Sequence, residues 1–255
     1  LEVNTKNTKL KMHRVDIERQ IIKRFEHFAA DEDSKNVINE FREGDDFNFF
    51  YFNYPVGRKV EQLNVNVSKD YDLLFWGRIC QDKGAEDFVY IVAELQKVRP
   101  DIRALVIGPV SDEYMSSLKQ MAQDLDCFDC ITFRGFIDET DELYEKVLKS
   151  KILVLPTYND RLPTVLRESV NLKLGVIGYS VGSIPYFNTG EERILLTEPG
   201  NRDQLVKYAD SLLSDPKYFE ELVSRSYNHG VQELSAKTNF ERLAEAYRFI
   251  LNKNK

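Results

Sequence analysis

From residue 71 onward the sequence repeats one unit: a short apolar run, a loop, then an amphipathic helical stretch. The runs are DLLFWG (72–77), RALVIG (103–108), ITFRG (131–135), KILVLP (151–156), VIGY (176–179) and RILL (193–196). Between them lie EDFVYIVAELQKV and DELYEKVLK, and a helix opened by Ser111 as N-cap with Asp112 and Glu113 in its first turn. That helix carries Tyr114, Leu118, Met121 and Leu125 on one face. Further helices are expected over roughly 203–213, 216–232 and 239–252. Strands this short and this apolar, alternating with helices, predict a parallel sheet covered on both faces. The fold class is therefore α/β, a doubly wound, Rossmann-like parallel sheet, preceded by an N-terminal mainly helical segment. In such a fold ligands bind at the carboxyl ends of the strands, near helix N-termini.

The preceding residues have a different texture. VDIERQIIKRFEHF places Val15, Ile17, Ile21, Ile22, Phe25 and Phe28 on one helical face, and a second short helix is expected around Val37–Phe41. FNFFYFNYPVG (47–57) is aromatic and ends in a Pro-Gly turn, which reads as a buried strand. The expected division is a partial segment over 1–68 and a ligand-binding domain over 69–255. The chain opens on Leu1-Glu2 without an initiator Met, which fits a truncated chain.

Composition narrows the function. A net charge of −7 over 255 residues argues against a general nucleic-acid binder, but not against a phosphorylated small ligand needing a few local cations. No run approaches the ~18 apolar residues of a membrane span, and no signal-peptide pattern opens the chain. Three cysteines form no closed disulfide framework, and Cys127 and Cys130 have no second pair at zinc spacing. They read as reduced, small apolar residues in a cytoplasmic protein. Asp31-Glu32-Asp33 spells D-x-D in a charged stretch with no strand before it, and reads as solvated charge. His13, His27 and His229 show no ligand spacing.

Chemistry gathers after the first and fourth strands. In WGRICQDKG (76–84), Gly77 turns the chain, and Arg78 and Lys83 supply a planar fork and a point charge suited to a diphosphate. Solvated surface charges are the plain alternative for both. In PTYNDRLPTVLRES (156–169), Pro163 is expected at the first helical position. The N–H groups of Thr164 and Val165 then stay free before a helix dipole. Glu168, one turn on, and Asp160, before the turn, are matched to hydroxyl donors such as ribose and sugar rather than to phosphate. The plain readings are a solvated helix charge for Glu168 and an N-cap or turn residue for Asp160. Arg134-Gly135-Phe136 offers backbone that could border a base, and SVGSIP (180–185) a further Gly turn.

The ordered series G-R-x-x-x-x-K-G, V-I-G-P, F-R-G-F, V-L-P-T-x-x-D-x-L-P-T-V-L-x-E-S and V-G-S-I-P resembles the C-terminal donor-binding domain of retaining GT-B glycosyltransferases of the group 1 family, over about residues 70–250. The resemblance implies an enzyme that transfers a sugar from a nucleotide-diphosphate sugar to an acceptor with retention. It implies no metal and no cofactor beyond the donor itself. By that resemblance Arg78 and Lys83 bind the diphosphate and stabilise the leaving group, Thr164 and Val165 offer it backbone donors, Glu168 holds the ribose and Asp160 the transferred sugar. Phe136 lies against the base, and Gly77, Gly108, Leu162 and Pro163 complete the donor-binding set. The chain departs from the family pattern where Asp160 replaces Glu, Arg161 a Gly, Lys173 a small residue and Gly175 a Pro. Gly182-Ser183 stands for Gly-Gly, and Tyr186 for an acid.

The closing helix NFERLAEAYRFILNK resembles the one that ends such domains. The expected partners are the donor, a glycan, lipid or protein acceptor, and a missing N-terminal acceptor domain or partner chain. That missing half would also offer a peripheral membrane location. Two rivals stay open: a nucleotide-sugar epimerase of the same fold, for which no suitable His is evident, and a noncatalytic nucleotide-sugar binding module.

Overall fold

The structure is a computed structural model that describes residues 27–30, 38, 48–52, 55–160 and 163–253. The chain divides into two compact units, Leu1–Pro55 with Ala236–Lys255, and Val56–Ser235. The closing helix thus groups with the N-terminal residues.

In the first unit, strand β1 (His27–Ala30) pairs in parallel with β2 (Asn48–Tyr51). Most of the helix expected over 15–28 lies outside the described residues, but its last positions, His27 and Phe28, begin a strand. Pairing with the aromatic run Asn48–Tyr51 overrides the local helical pattern there, as partners commonly do for short segments. The strand expected in 47–57 is present, half-buried at Asn48, Phe49 and Phe50. Of the helix expected around 37–41 only Ile38 is described, and it is helical.

The second unit holds a six-stranded, all-parallel sheet. Its strands are β3 (Tyr71–Trp76), β4 (Ala104–Ile107), β5 (Ile131–Gly135), β6 (Ser150–Leu155), β7 (Gly175–Tyr179) and β8 (Leu195–Thr197). Their spatial order is β5-β4-β3-β6-β7-β8. The helices are α1 (Arg58–Gln62), α2 (Ala85–Gln96), α3 (Asp112–Asp124), α4 (Thr140–Leu148), α5 (Thr164–Asn171), α6 (Arg202–Ser214) and α7 (Pro216–Glu233). Helix α8 (Ala236–Lys253) belongs to the first unit, where it packs on β1 and β2 and sets Phe249 edge-on to Phe50 at 5.3 Å. Among the described α-helices, only the short α1 has no counterpart in the sequence reading.

Strand alternation builds two cores, one per sheet face. Leu73, Phe75, Ala104, Val106, Ile152 and Val154 face α2 residues such as Phe88, Val92 and Leu95, together with Leu205 and Ala209 of α6. Leu74, Trp76, Leu105, Ile107, Leu153 and Leu155 face Tyr144 and Val147 of α4 and Leu166 and Val170 of α5. Both faces are buried, which is why the strands read as continuous apolar runs rather than alternating ones.

The order places the topological switch between β3 and β6. From β3 the chain winds outward through β4 to β5, then returns to β6 on the other side of β3. Loops leaving β3 and β6 therefore diverge, and a crevice opens at their carboxyl ends. No helix among the described residues is long and apolar enough to cross a membrane.

Candidate functional site

A cavity of about 370 Å³ fills that crevice. Its wall includes Gly77, Arg78 and Lys83 after β3, and Asp160, Pro163, Thr164 and Val165 after β6. Residues more than seventy positions apart in the chain meet here, as the carboxyl-end argument requires.

Two glycines allow the meeting. At Gly108, φ is +151°, and a Cβ would lie 1.7 Å from the Gly77 carbonyl oxygen. Gly108 is absent from the cavity wall; it lets the β4 exit pass under the β3 exit and so holds the Gly77–Arg78 turn in place. Gly84 ends a 3₁₀ turn, Gln81–Lys83, in the left-handed region at φ +71°, and a Cβ there would lie 1.9 Å from the Pro156 oxygen. This close approach fixes Lys83 against the loop after β6. Backbone bonds reinforce it: the Tyr158 N–H donates to the Asp82 oxygen at 2.9 Å, and the Thr157 hydroxyl to the same oxygen at 3.3 Å.

The Lys83 ammonium donates to Asp160 Oδ2 at 2.5 Å and to the Asn159 carbonyl at 3.0 Å. The side chains of Lys83 and Asp160 are only 19% and 23% exposed, so solvent screens the pair incompletely. Lys83 is thus not the solvated surface charge of the plain alternative, whereas Arg78 is exposed beside it in the cavity wall.

Pro163 departs from its expected place. With ψ at 133° it is the N-cap of α5 rather than the first helical residue, because its carbonyl accepts the first helical bonds, from Leu166 at 3.2 Å and Arg167 at 3.5 Å. The consequence expected for the backbone is unchanged. Thr164 and Val165 open the helix beside the cavity, and their N–H groups have no acceptor among the described residues. Arg167 donates to Thr164 Oγ1 at 3.1 Å. Arg161 and Leu162 lie outside the described residues.

Glu168 and Phe136 are not in the cavity wall. Glu168 lies on α5, where burial pushes its carboxyl above the usual range, opposed by the hydrogen bond from Tyr144 and the charge of Arg167. Tyr144 Oη donates to Glu168 Oε1 at 3.1 Å. Tyr144 in turn stands edge-on to Trp76 and is buried. Phe136 follows β5, the edge strand two places from β3, and is 64% exposed.

A network around the buried Asp87, next to the Asp160 loop, was not read from the sequence. Asp87 on α2, 8% exposed, accepts from the Tyr158 hydroxyl at 2.6 Å and the Tyr179 hydroxyl at 2.7 Å, both on Oδ2. Arg202 stands 3.8 Å from its other oxygen. Burial, then the Asp87 carboxylate, pushes both phenols up. Asp87 thereby ties the residue two places before Asp160 to the floor of the sheet. Its position in a helical first turn hides it, since an acid there is ordinary.

Other expected features fall elsewhere. Cys127 is buried, where its thiol donates weakly to the Val89 oxygen at 3.8 Å, and burial pushes it up to about 11. His229 packs edge-on to Phe187 at 4.9 Å, with burial and Arg193 lowering its pKa. Lys173 holds a left-handed φ of 56° at the end of α5, with its ammonium over the Tyr227 ring. Asp31-Glu32-Asp33 and His13 lie outside the described residues. Among the described residues no three His, Cys, Asp or Glu side chains gather as metal ligands.

A family model described as glycosyl transferases group 1 matches residues 58–229, more than half of the chain. A curated relative, an uncharacterized glycosyltransferase of Haemophilus influenzae, is 24% identical over 180 residues, covering 70% of this chain and 48% of the relative. The chain spans about half or less of the length of the first curated relatives it matches. The C-terminal domain of a group 1 family glycosyl transferase from Francisella tularensis superposes with a TM-score of 0.60 at 24% identity, covering 72% of this chain and 96% of that one. HepE of Anabaena, solved in complex with UDP, superposes at 0.75 with 14% identity, covering 90% and 65%. At these identities the two structures show the fold alone.

Proposed function

Because the chain belongs to the group 1 glycosyl transferases, we propose that residues 56–235 hold a nucleotide-diphosphate sugar in the β3–β6 crevice. On this reading the sugar passes to an acceptor with retention of configuration. The observation that carries the reading is the convergence of Arg78, Lys83 and the open N-terminus of α5 on one cavity, with Asp160 also in its wall.

Each group then has a role. As the bond between sugar and diphosphate breaks, negative charge grows on the leaving phosphate. The Arg78 guanidinium, the Lys83 ammonium and the N–H groups of Thr164 and Val165 would offset it without a metal. The Asp160 carboxylate, an acceptor only, would take hydrogen bonds from the sugar hydroxyls. Glu168 would do the same for the ribose, with Tyr144 holding its second oxygen. Phe136 would border the base beyond the cavity. The donor's own phosphate would take the acceptor's proton, which is consistent with retention. The acceptor would be held by a preceding domain of a longer chain or by a partner chain.

Calorimetric titration with UDP, GDP and dTDP tests the reading. One of the three is expected to bind best. Arg78→Ala or Lys83→Ala should weaken it about ten- to hundredfold, the worth of one hydrogen bond to a charged group. Binding of none of the three at millimolar concentration refutes the donor site.

A further inference from the structure

Lys83 is already engaged. Two of the three donors of its ammonium go to Asp160 and the Asn159 carbonyl, at 2.5 and 3.0 Å. The bonds from Tyr158 and Thr157 to the Asp82 oxygen hold the two loops in that arrangement. Asp160 and Lys83 both line the cavity. A phosphate reaching Lys83 must therefore displace a carboxylate from it or share it with one.

We propose that Asp160 competes with the terminal phosphate of a nucleoside diphosphate for Lys83, so that the spent nucleotide is a weak ligand and leaves readily. The inference rests on the donor-site reading above and adds a function to it. The argument is electrostatic. The terminal phosphate of a free nucleoside diphosphate ionises a second time near pH 6, so at pH 7.5 it carries about one more negative charge than the same phosphate esterified to a sugar. A carboxylate beside Lys83 opposes that extra charge. Toward an intact donor the same carboxylate faces sugar hydroxyls, which donate to it. One side chain thus favours the loaded nucleotide and disfavours the empty one. Because the Lys83 and Asp160 side chains are 19% and 23% exposed, the opposition is screened less than at an open surface.

The test is a double-mutant cycle read by nucleotide affinity at pH 7.5, with UDP, GDP and dTDP as ligands. Asp160→Asn keeps the shape of the side chain and removes its charge. It is expected to tighten the preferred nucleoside diphosphate about tenfold. In a Lys83→Met background the same change should be worth less than about threefold. Asp160→Ser serves as a second variant should Asp160→Asn fail to keep the wild-type unfolding midpoint. A wild-type protein that binds nucleotide while Asp160→Asn and Asp160→Ser bind no more tightly overturns this inference and leaves the donor site standing. Tightening that persists in full with Lys83→Met overturns it too, since the carboxylate would then act without competing for Lys83. If neither wild type nor variants bind any nucleotide, the donor site itself falls.

Discussion

The contact between Gly84 and Pro156 can be tested by adding a single methyl group. Gly84→Ala faces two penalties. Its φ of +71° lies in the left-handed region, and its Cβ would sit 1.9 Å from a backbone oxygen that no rotamer change can move. Left-handed strain costs about 1–2 kcal/mol, and forcing a methyl into filled space about 1–3 kcal/mol, giving about 2–5 kcal/mol together. At about 2–4 °C per kcal/mol for a domain of this size, the unfolding midpoint should fall by about 4–20 °C. Gly190 separates the two terms. Its φ is +80°, with nothing within 4 Å of the built Cβ, so Gly190→Ala carries strain alone, about 1–2 kcal/mol. Gly57, the N-cap of α1, lies at φ −61° in open surroundings and carries neither penalty, so Gly57→Ala loses only a capping preference of about 0.5–1 kcal/mol. Thermal unfolding of the three variants, followed by circular dichroism, measures the order Gly84→Ala, Gly190→Ala, Gly57→Ala. Pushing Pro156 away from Gly84 also separates Lys83 from Asp160, so nucleotide affinity should change in Gly84→Ala and not in the other two. If Gly84→Ala loses no more stability than Gly190→Ala, the close approach is not a constraint and the account of how Lys83 is positioned is wrong.

Two further outcomes follow from the buried polar groups. Burial raises the Glu168 pKa, so the folded state binds its proton more tightly than the unfolded state does. The residue's contribution to stability is then greatest below pH 4.5, the unfolded value, and is lost as pH rises through the folded pKa. Glu168→Gln should therefore be more stable than wild type in urea at pH 7.5, with the advantage vanishing below pH 4.5, while its nucleotide affinity falls; equal stability at both pH values would contradict the burial argument. Asp87→Asn removes the charge that two phenols share and should cost about 1–3 kcal/mol in urea denaturation, with Tyr158→Phe costing about 1 kcal/mol. A neutral Asp87→Asn would mean that the network does not hold the Asp160 loop.

The sheet was legible because both of its faces are buried: each strand is an unbroken apolar run, and each of the six appears within about two residues of its expected place. Arg78, Lys83, Asp160, Thr164 and Val165 were legible for a related reason. The carboxyl ends of β3 and β6 are where a doubly wound sheet presents ligand-binding groups, and charge or an open helix start at those ends stands out. What escaped was the contact between them. Nothing in WGRICQDKG says that Lys83 reaches Asp160, because the pairing depends on the strand order and on a glycine whose neighbour is 72 positions away. Asp87 escaped because its meaning comes from Tyr158 and Tyr179, on two other strand exits. At the N-terminus, His27 and Phe28 read as the end of an amphipathic helix until their partner strand is known.

The seam between β3 and β6 divides the sheet by sequence as well as by space. Everything on the β5 side comes from residues 71–135, and everything on the β8 side from residues 150–197. The cations belong to the first stretch, the carboxylate and the helix start to the second. A chain cut in the connection after Gly135 would leave one piece with the two cations that line the cavity, Arg78 and Lys83, and another with the carboxylate that lines it, Asp160. The charge balance of the cavity is therefore a property of assembly: neither half possesses it, and it comes into being only when the two inner strands register side by side.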